Sequence, residues 1–248
     1  MPIFQANNKL HFFAHVPKCA GTTIEAHLIE RFGPLGMFGH SQGFNVSLQH
    51  LTWAQVTSVV PENWIASSFA VVRHPLTRFV SAYNMRLSQA RPPFPREVTI
   101  TDFLDWVEAR LPTNPELLDN HFRPQVEFLG PKTRVFRLED GLDAVIADLD
   151  QKFGSSPSLP PLGHFDFHVS ETEGLFYSSE ILPKRLIERV RILYAEDHLR
   201  FGYNPEPARS VTVKILKPTH ARAYKRQAWR IRRHLSENVL QRVRNIDV

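Results

Sequence analysis

The stretch His11-Phe-Phe-Ala-His-Val-Pro-Lys-Cys-Ala-Gly-Thr-Thr23 carries the decision on fold. Its first six residues are an apolar run of strand length, stopped by Pro17. Thr22 and Thr23 then open a helical pattern with Ile24, Leu28 and Ile29 on one side, ending near Gly33-Pro34. A strand that turns straight into a helix leaves the turn at the carboxyl end of the strand, where open parallel sheets collect their ligands. Gly21 lets the backbone come close to such a ligand, and the helix start offers unpaired N–H groups and partial positive charge. Lys18 adds a mobile point charge, and the two threonines add hydroxyls. This is the chemistry of a phosphate cradle. It differs from the Walker loop, in which Lys follows the second Gly, because here Lys precedes the Gly. An ordinary strand-to-helix turn with a Thr cap is the plainer alternative.

Outward from that turn, a loop rich in Gly, Ser, Asn and Gln covers residues 33–49, and a short helix follows from Thr52 to Val60. Ser68-Phe-Ala-Val-Val72 reads as a second buried strand, closed by Arg73-His-Pro75, with a helix marked by Leu76, Phe79, Val80 and Tyr83. Helical patterns are expected at 101–111 and 115–129, a third strand at 133–138 and a helix at 140–152. Residues 154–179 read as irregular, and helices are expected from Pro183 to Phe201 and from Thr219 to Arg244. Strands alternating with helices predict an α/β fold: three layers, P-loop-like, with a central parallel sheet flanked by helices. A domain over residues 1–208 and a basic amphipathic helical extension over 209–248 are expected.

Composition narrows the class. The 248 residues suit one domain of ordinary size, and Cys19, the single cysteine, excludes an intrachain disulfide framework and a cysteine-rich zinc site. The first residues lack a signal-peptide pattern, and no stretch approaches the roughly 20 apolar residues of a membrane span. A cytoplasmic location is therefore expected. The net charge of +5 is unevenly spread: residues 209–248 hold 11 basic and 2 acidic side chains, a balance of +9, against −4 for the rest. In that tail Ala221, Tyr224, Ala228, Ile231, Leu235 and Val239 form an apolar stripe. Packing on the domain or on a second copy, as a homodimer, explains the stripe best, and contact with a membrane surface has no separate support. No zinc-finger or RNA-recognition signature points to nucleic acid.

A second anion motif is Val71-Val-Arg-His-Pro-Leu-Thr-Arg-Phe-Val-Ser-Ala-Tyr83, in which Arg73 sits at a strand end and Ser81 two turns into the next helix. A guanidinium fork with a nearby hydroxyl suits a phosphate, although a structural Arg capping a strand end would look the same.

The two motifs, in this order and about 55 residues apart, resemble those of the PAPS-dependent sulfotransferases, in particular the carbohydrate sulfotransferase branch and its bacterial members. Pro17-Lys-Cys-Ala-Gly-Thr-Thr23 looks like that family's 5′-phosphosulfate loop, and Arg73 through Ser81 like its 3′-phosphate motif. His74 departs from the Asp or Asn often found there. Weaker likeness continues through Arg123-Pro-Gln-Val-Glu-Phe-Leu129, Val135-Phe-Arg-Leu-Glu139 and Tyr194 to Tyr203.

The resemblance implies transfer of a sulfuryl group from 3′-phosphoadenosine-5′-phosphosulfate (PAPS) to an acceptor hydroxyl, with a carbohydrate or other small hydroxylated acceptor expected and no metal needed. Lys18 would stabilise the leaving phosphate. Cys19, Ala20, Gly21, Thr22 and Thr23 would hold the 5′-phosphosulfate, and Arg73 and Ser81 the 3′-phosphate. A hydroxyl acceptor calls for a general base, and neutral His suits that role near pH 7. His50, between the two motifs, is the first choice and His40 the second. His15 reads as packing beside the loop, and His121 and His164 show no metal-ligand spacing. Gln125 and Arg123 fall in the central stretch without an assigned role. A nucleotide-dependent phosphotransferase and a non-catalytic anion-binding protein on the same fold are the competing functions. The Lys-before-Gly order counts against the first, and retention of Lys18 and Arg73 against the second.

Overall fold

The computed structural model describes residues 2–41, 43–89, 98–155, 177–203 and 211–216. In chain order the elements are β1 (Ile3–Ala6), β2 (Lys9–Ala14), α1 (Gly21–Phe32), α2 (Trp53–Thr57), β3 (Ile65–Val72), α3 (Pro75–Gln89), α4 (Ile100–Arg110), β4 (Arg134–Arg137), α5 (Asp143–Phe153), β5 (Tyr177–Ile181), α6 (Lys184–Leu193), α7 (Ala195–Phe201) and β6 (Thr212–Leu216). Among the described residues the chain groups into two compact units, residues 2–73 with 118–155, and 74–117 with 177–203 and 211–216.

The first unit is built on a four-stranded sheet in the order β1-β2-β3-β4. β2 pairs parallel with β3, and β3 with β4. The run Phe12-Phe-Ala14 that suggested a buried strand lies in β2 with all three side chains buried, as expected of a parallel strand covered on both faces. Phe13 stacks on Phe69 of β3 at 5.0 Å, and Phe69 meets Phe136 of β4 edge-on, forming one aromatic face. Phe32 of α1 and Phe153 of α5 meet at 5.3 Å, and both touch Phe4 of β1. Phe12 points the other way and meets Trp53 of α2 at 5.7 Å. Helices thus cover both faces of a sheet in which three of the four strands are parallel, in the layered α/β arrangement expected.

The edge strand β1 was not expected. It pairs antiparallel with β2 through the two-residue turn Asn7-Asn8, with φ of 50° and 57°. Two central residues at positive φ make the mirror-image turn that matches the twist of a hairpin, and Asn is among the residues that tolerate it.

The second unit packs α3, α4, α6 and α7 with a two-stranded antiparallel sheet of β5 and β6. Arg78 of α3 is 1% exposed, with its guanidinium over the ring of Tyr194 at 5.7 Å. Arg189 of α6 is paired with Asp105 and Glu108 of α4.

Three expectations are corrected. The helix expected over 115–129 is absent: Leu118, Asp119 and Asn120 take left-handed backbone, and Pro124 leads into a single 3₁₀ turn, Gln125–Phe128. The helix expected from Pro183 to Phe201 is two helices, broken at Tyr194, whose φ of −117° and ψ of 34° leave the helical region. Residues 212–216, assigned from sequence to the helical extension, form β6 and group with the second unit. The helix expected over Thr219 to Arg244, with its apolar stripe, and His164 lie outside the described residues.

Candidate functional site

The loop after β2 has the backbone of an anion cradle. Lys18 and Ala20 sit at φ 71° and 61°, and α1 starts directly afterwards at Gly21. Left-handed residues leading into helical ones turn successive amides toward one concavity. The first amides bonded into the helix are those of Thr23 and Ile24, both to the Ala20 carbonyl. The amides of Gly21 and Thr22 precede them and have no intrahelical acceptor. Cys19 and Thr23 are buried, Lys18 and Ala20 half-buried, and Thr22 exposed.

Gly21 is required here by space. A Cβ at that position would lie 1.9 Å from His15 Nε2. His15 was read as packing beside the loop; it lies directly against it, and its ring is anchored from behind. Its Nδ1 is 2.5 Å from Glu25 Oε1, and both residues are buried. Because a carboxylate can only accept, Nδ1 carries the proton and Nε2 faces Gly21.

His50 is anchored in the same way. Its Nδ1 lies 2.7 Å from Asp119 Oδ2, leaving Nε2 without a hydrogen-bond partner among the described residues. Asp119 is itself fixed by the Ser47 amide and the Ser47 hydroxyl, each at 2.6 Å. Asn120 donates to the His50 carbonyl at 2.8 Å and to Gln55, which also closes a capping box with Thr52 at the start of α2. The left-handed turn at Leu118–Asn120 is what delivers Asp119 and Asn120 to these partners. Three such residues in a row cost roughly 1–2 kcal/mol each, an expense that clusters at functional sites.

The imidazoles form a chain. His15 meets His50 edge-on at 4.8 Å between ring centroids, and His50 meets His121 at 4.9 Å. Burial and the neighbouring His15 lower the His50 pKa to about 4, with the Asp119 hydrogen bond acting in the opposite sense. Burial raises the Asp119 carboxyl, but its bonds from His50 and Ser47 prevail and hold it well below the usual range. At neutral pH the pair is therefore a neutral imidazole backed by a carboxylate, the arrangement that lets a His accept a proton at Nε2. His40 is exposed and takes part in none of these contacts.

Donor atoms of His50, Asp119 and His121 also lie within 4.8 Å of one another, so among the described residues these three could hold a metal ion. The Asp119 carboxylate already accepts from Ser47 twice and from His50, so metal ligation would have to displace one of these bonds.

At the end of β3, Arg73 is half-buried and its backbone is held by Gln125, while Ser81 is half-buried on α3 in the second unit. The sequence matches the sulfotransferase family over residues 2–204. The chain belongs to that family. Neither the curated proteins nor the solved structures provide a match.

For this sulfotransferase, sequence reasoning singled out the loop after β2, Arg73 and His50. It missed Asp119, Ser47 and Glu25. Asp119 is 69 residues from His50 in a segment read as helix, so no spacing linked them. Glu25 was one acidic residue on an amphipathic helix and carried no signal of burial. Among the described residues no helix is long and apolar enough to cross a membrane.

Proposed function

We propose that this sulfotransferase moves the sulfuryl group of PAPS to the hydroxyl of a small acceptor, with a carbohydrate as the first choice. The observation that carries the reading is the His50–Asp119 pair, a neutral base with a bare Nε2, one ring away from the loop that begins α1. The acceptor oxygen attacks sulfur as the bond from sulfur to the 5′-phosphate oxygen breaks. The hydroxyl proton passes to His50 Nε2, and Asp119 stabilises the imidazolium that forms. Lys18 neutralises the charge growing on the leaving 5′-phosphate, and the amides of Gly21 and Thr22 with the Thr22 and Thr23 hydroxyls hold it. Cys19 and Ala20 shape the loop. Arg73 and Ser81 take the 3′-phosphate, which distinguishes this donor from AMP and ATP. Positioning and charge stabilisation supply the catalysis, as in phosphoryl transfer, and the scheme uses no metal.

Adenosine 3′,5′-bisphosphate should raise the melting temperature far more than ATP or AMP at equal concentration. Equal or greater stabilisation by ATP would remove the 3′-phosphate assignment. His50→Ala should keep that shift and lose transfer, and unchanged transfer in this variant would remove His50 as base.

A further inference from the structure

Gln125 is fully buried at the start of the 3₁₀ turn Gln125–Phe128, and its side-chain amide touches both anion motifs. Its Oε1 accepts from the Arg73 backbone N–H at 2.9 Å, and its Nε2 donates to the Arg73 carbonyl at 2.8 Å. These two partners fix which end of the amide is oxygen, because only one orientation satisfies an N–H and a C=O at once. The same Oε1 receives the Cys19 thiol at 3.4 Å. β3 ends at Val72, the last residue paired with β4, so Arg73 has left the sheet ladder. Gln125 continues that ladder with a side chain.

We infer that Gln125 is the positioning residue that fixes the separation between the 5′-phosphosulfate loop and Arg73, and thereby sets selectivity for a 3′-phosphorylated nucleotide. The inference rests on the donor reading above. Two phosphates on one ribose lie a fixed distance apart, so a site that grips both must hold its two grips at a matching distance. A single amide bonded to Cys19 on one side and to both backbone groups of Arg73 on the other does this without touching the ligand. Its placement behind the loop and the strand end, with no exposed surface, explains why its role is positional. Phe128, three residues on and also fully buried, seats the turn in the core of the first unit.

The test compares adenosine 3′,5′-bisphosphate with AMP as ligands of the full chain, for wild type, Gln125→Met and Gln125→Asn. Methionine keeps the volume without the hydrogen bonds. Asparagine keeps the amide but is one methylene short of reaching both partners. Calorimetric dissociation constants for both ligands give a bisphosphate-to-AMP preference for each protein. That preference should fall between about 10-fold and 10²-fold in either variant, while AMP affinity changes much less. A purely structural role would weaken both ligands together and leave the preference unchanged. Cys19, 1% exposed in the native protein, should also react faster with a thiol reagent in Gln125→Met. If either variant folds cooperatively and keeps the wild-type preference, the inference is overturned and the donor reading stands. A wild-type protein with no preference for the bisphosphate overturns both.

Discussion

His50 and Asp119 show how a single hydrogen bond sets up chemistry. Burial alone would keep the imidazole neutral, but it would leave the tautomer undefined and oppose the charge the ring would acquire in the proposed transfer. The Asp119 carboxylate fixes the proton on Nδ1 and favours that charge. Asp119→Asn removes the favourable charge and permits the wrong tautomer, so transfer should fall by about 10²- to 10⁴-fold with the bisphosphate affinity retained. The pH profile separates this from a loss of folding. In the wild type the acid limb of kcat/KM should lie well below 6.5, the ordinary His value, toward the lowered value of about 4. In Asp119→Asn it should move lower still, because the group that raises the His50 pKa is gone. An acid limb near 6.5 in the wild type would mean that another group is the base. Gly21 offers a second test at this scale. Gly21→Ala drives a methyl into the His15 ring, which cannot move without leaving Glu25 or His50. A loss of about 1–3 kcal/mol is expected. His15→Ala in the same chain should recover most of it, giving a coupling energy of opposite sign to the two single losses, and strict additivity in urea unfolding would refute the clash.

At the scale of elements, what was legible depended on whether the signal was local. β2, α1 and β3 were legible because apolar runs of strand length, stopped by Pro17 and by Pro75, have few other readings. The cradle followed from them, since Lys18 and Gly21 needed only the strand and helix on either side. The segment 115–129 was not legible. Its apolar spacing imitates a helix, and the left-handed turn at Leu118–Asn120 is held by Ser47, His50 and Gln55, whose positions no local pattern reveals. β5 and β6 were missed because each is a short strand completed only by the other, and even their nearest paired residues, Ile181 and Thr212, are far apart in sequence. β1 could have been found. Asn7-Asn8 between two short apolar runs is a hairpin signal of known mechanism, and only the weak alternation of Ile3–Ala6 hid it. The turn also makes a prediction. Asn8→Gly removes the cost of positive φ at a position that already needs it, and should raise stability by about 0.5–1 kcal/mol. Asn7→Pro demands negative φ at a residue held at 50° and should detach the edge strand. A lower melting temperature for Asn8→Gly would show that the turn is not of this type.

At the scale of the whole molecule, the described residues predict a loss of stability on the acid side that follows buried histidines rather than the net charge of +5. His27 on α1 is 2% exposed, and neither ring nitrogen has a hydrogen-bond partner among the described residues. Burial, then the nearby Arg31, lower its pKa to about 4, with Asp150 pulling weakly the other way. Asp150, the one nearby anion, is paired with Arg31 at 2.6 Å, which limits what it can do for a proton on His27. Burial also lowers His11, and it lowers His50 to about 4 as described. In the unfolded chain these rings titrate near 6.5. Between that pH and about 4 the unfolded state therefore binds protons that the folded state refuses, so stability declines as pH falls through this window. The depressed Asp119 carboxyl acts lower, below the ordinary carboxylate value of 3.8, and cannot explain losses near pH 5. The melting temperature should thus drop between pH 7 and pH 5. His27→Leu removes a buried ring with two unsatisfied nitrogens and one of the titrating groups. It should stabilise at pH 7, and by a larger margin at pH 5, because the variant no longer carries the proton-linked part of the cost. Thermal melts of both proteins at the two pH values decide the matter, and an equal margin at pH 7 and pH 5 would show that His27 does not titrate between them.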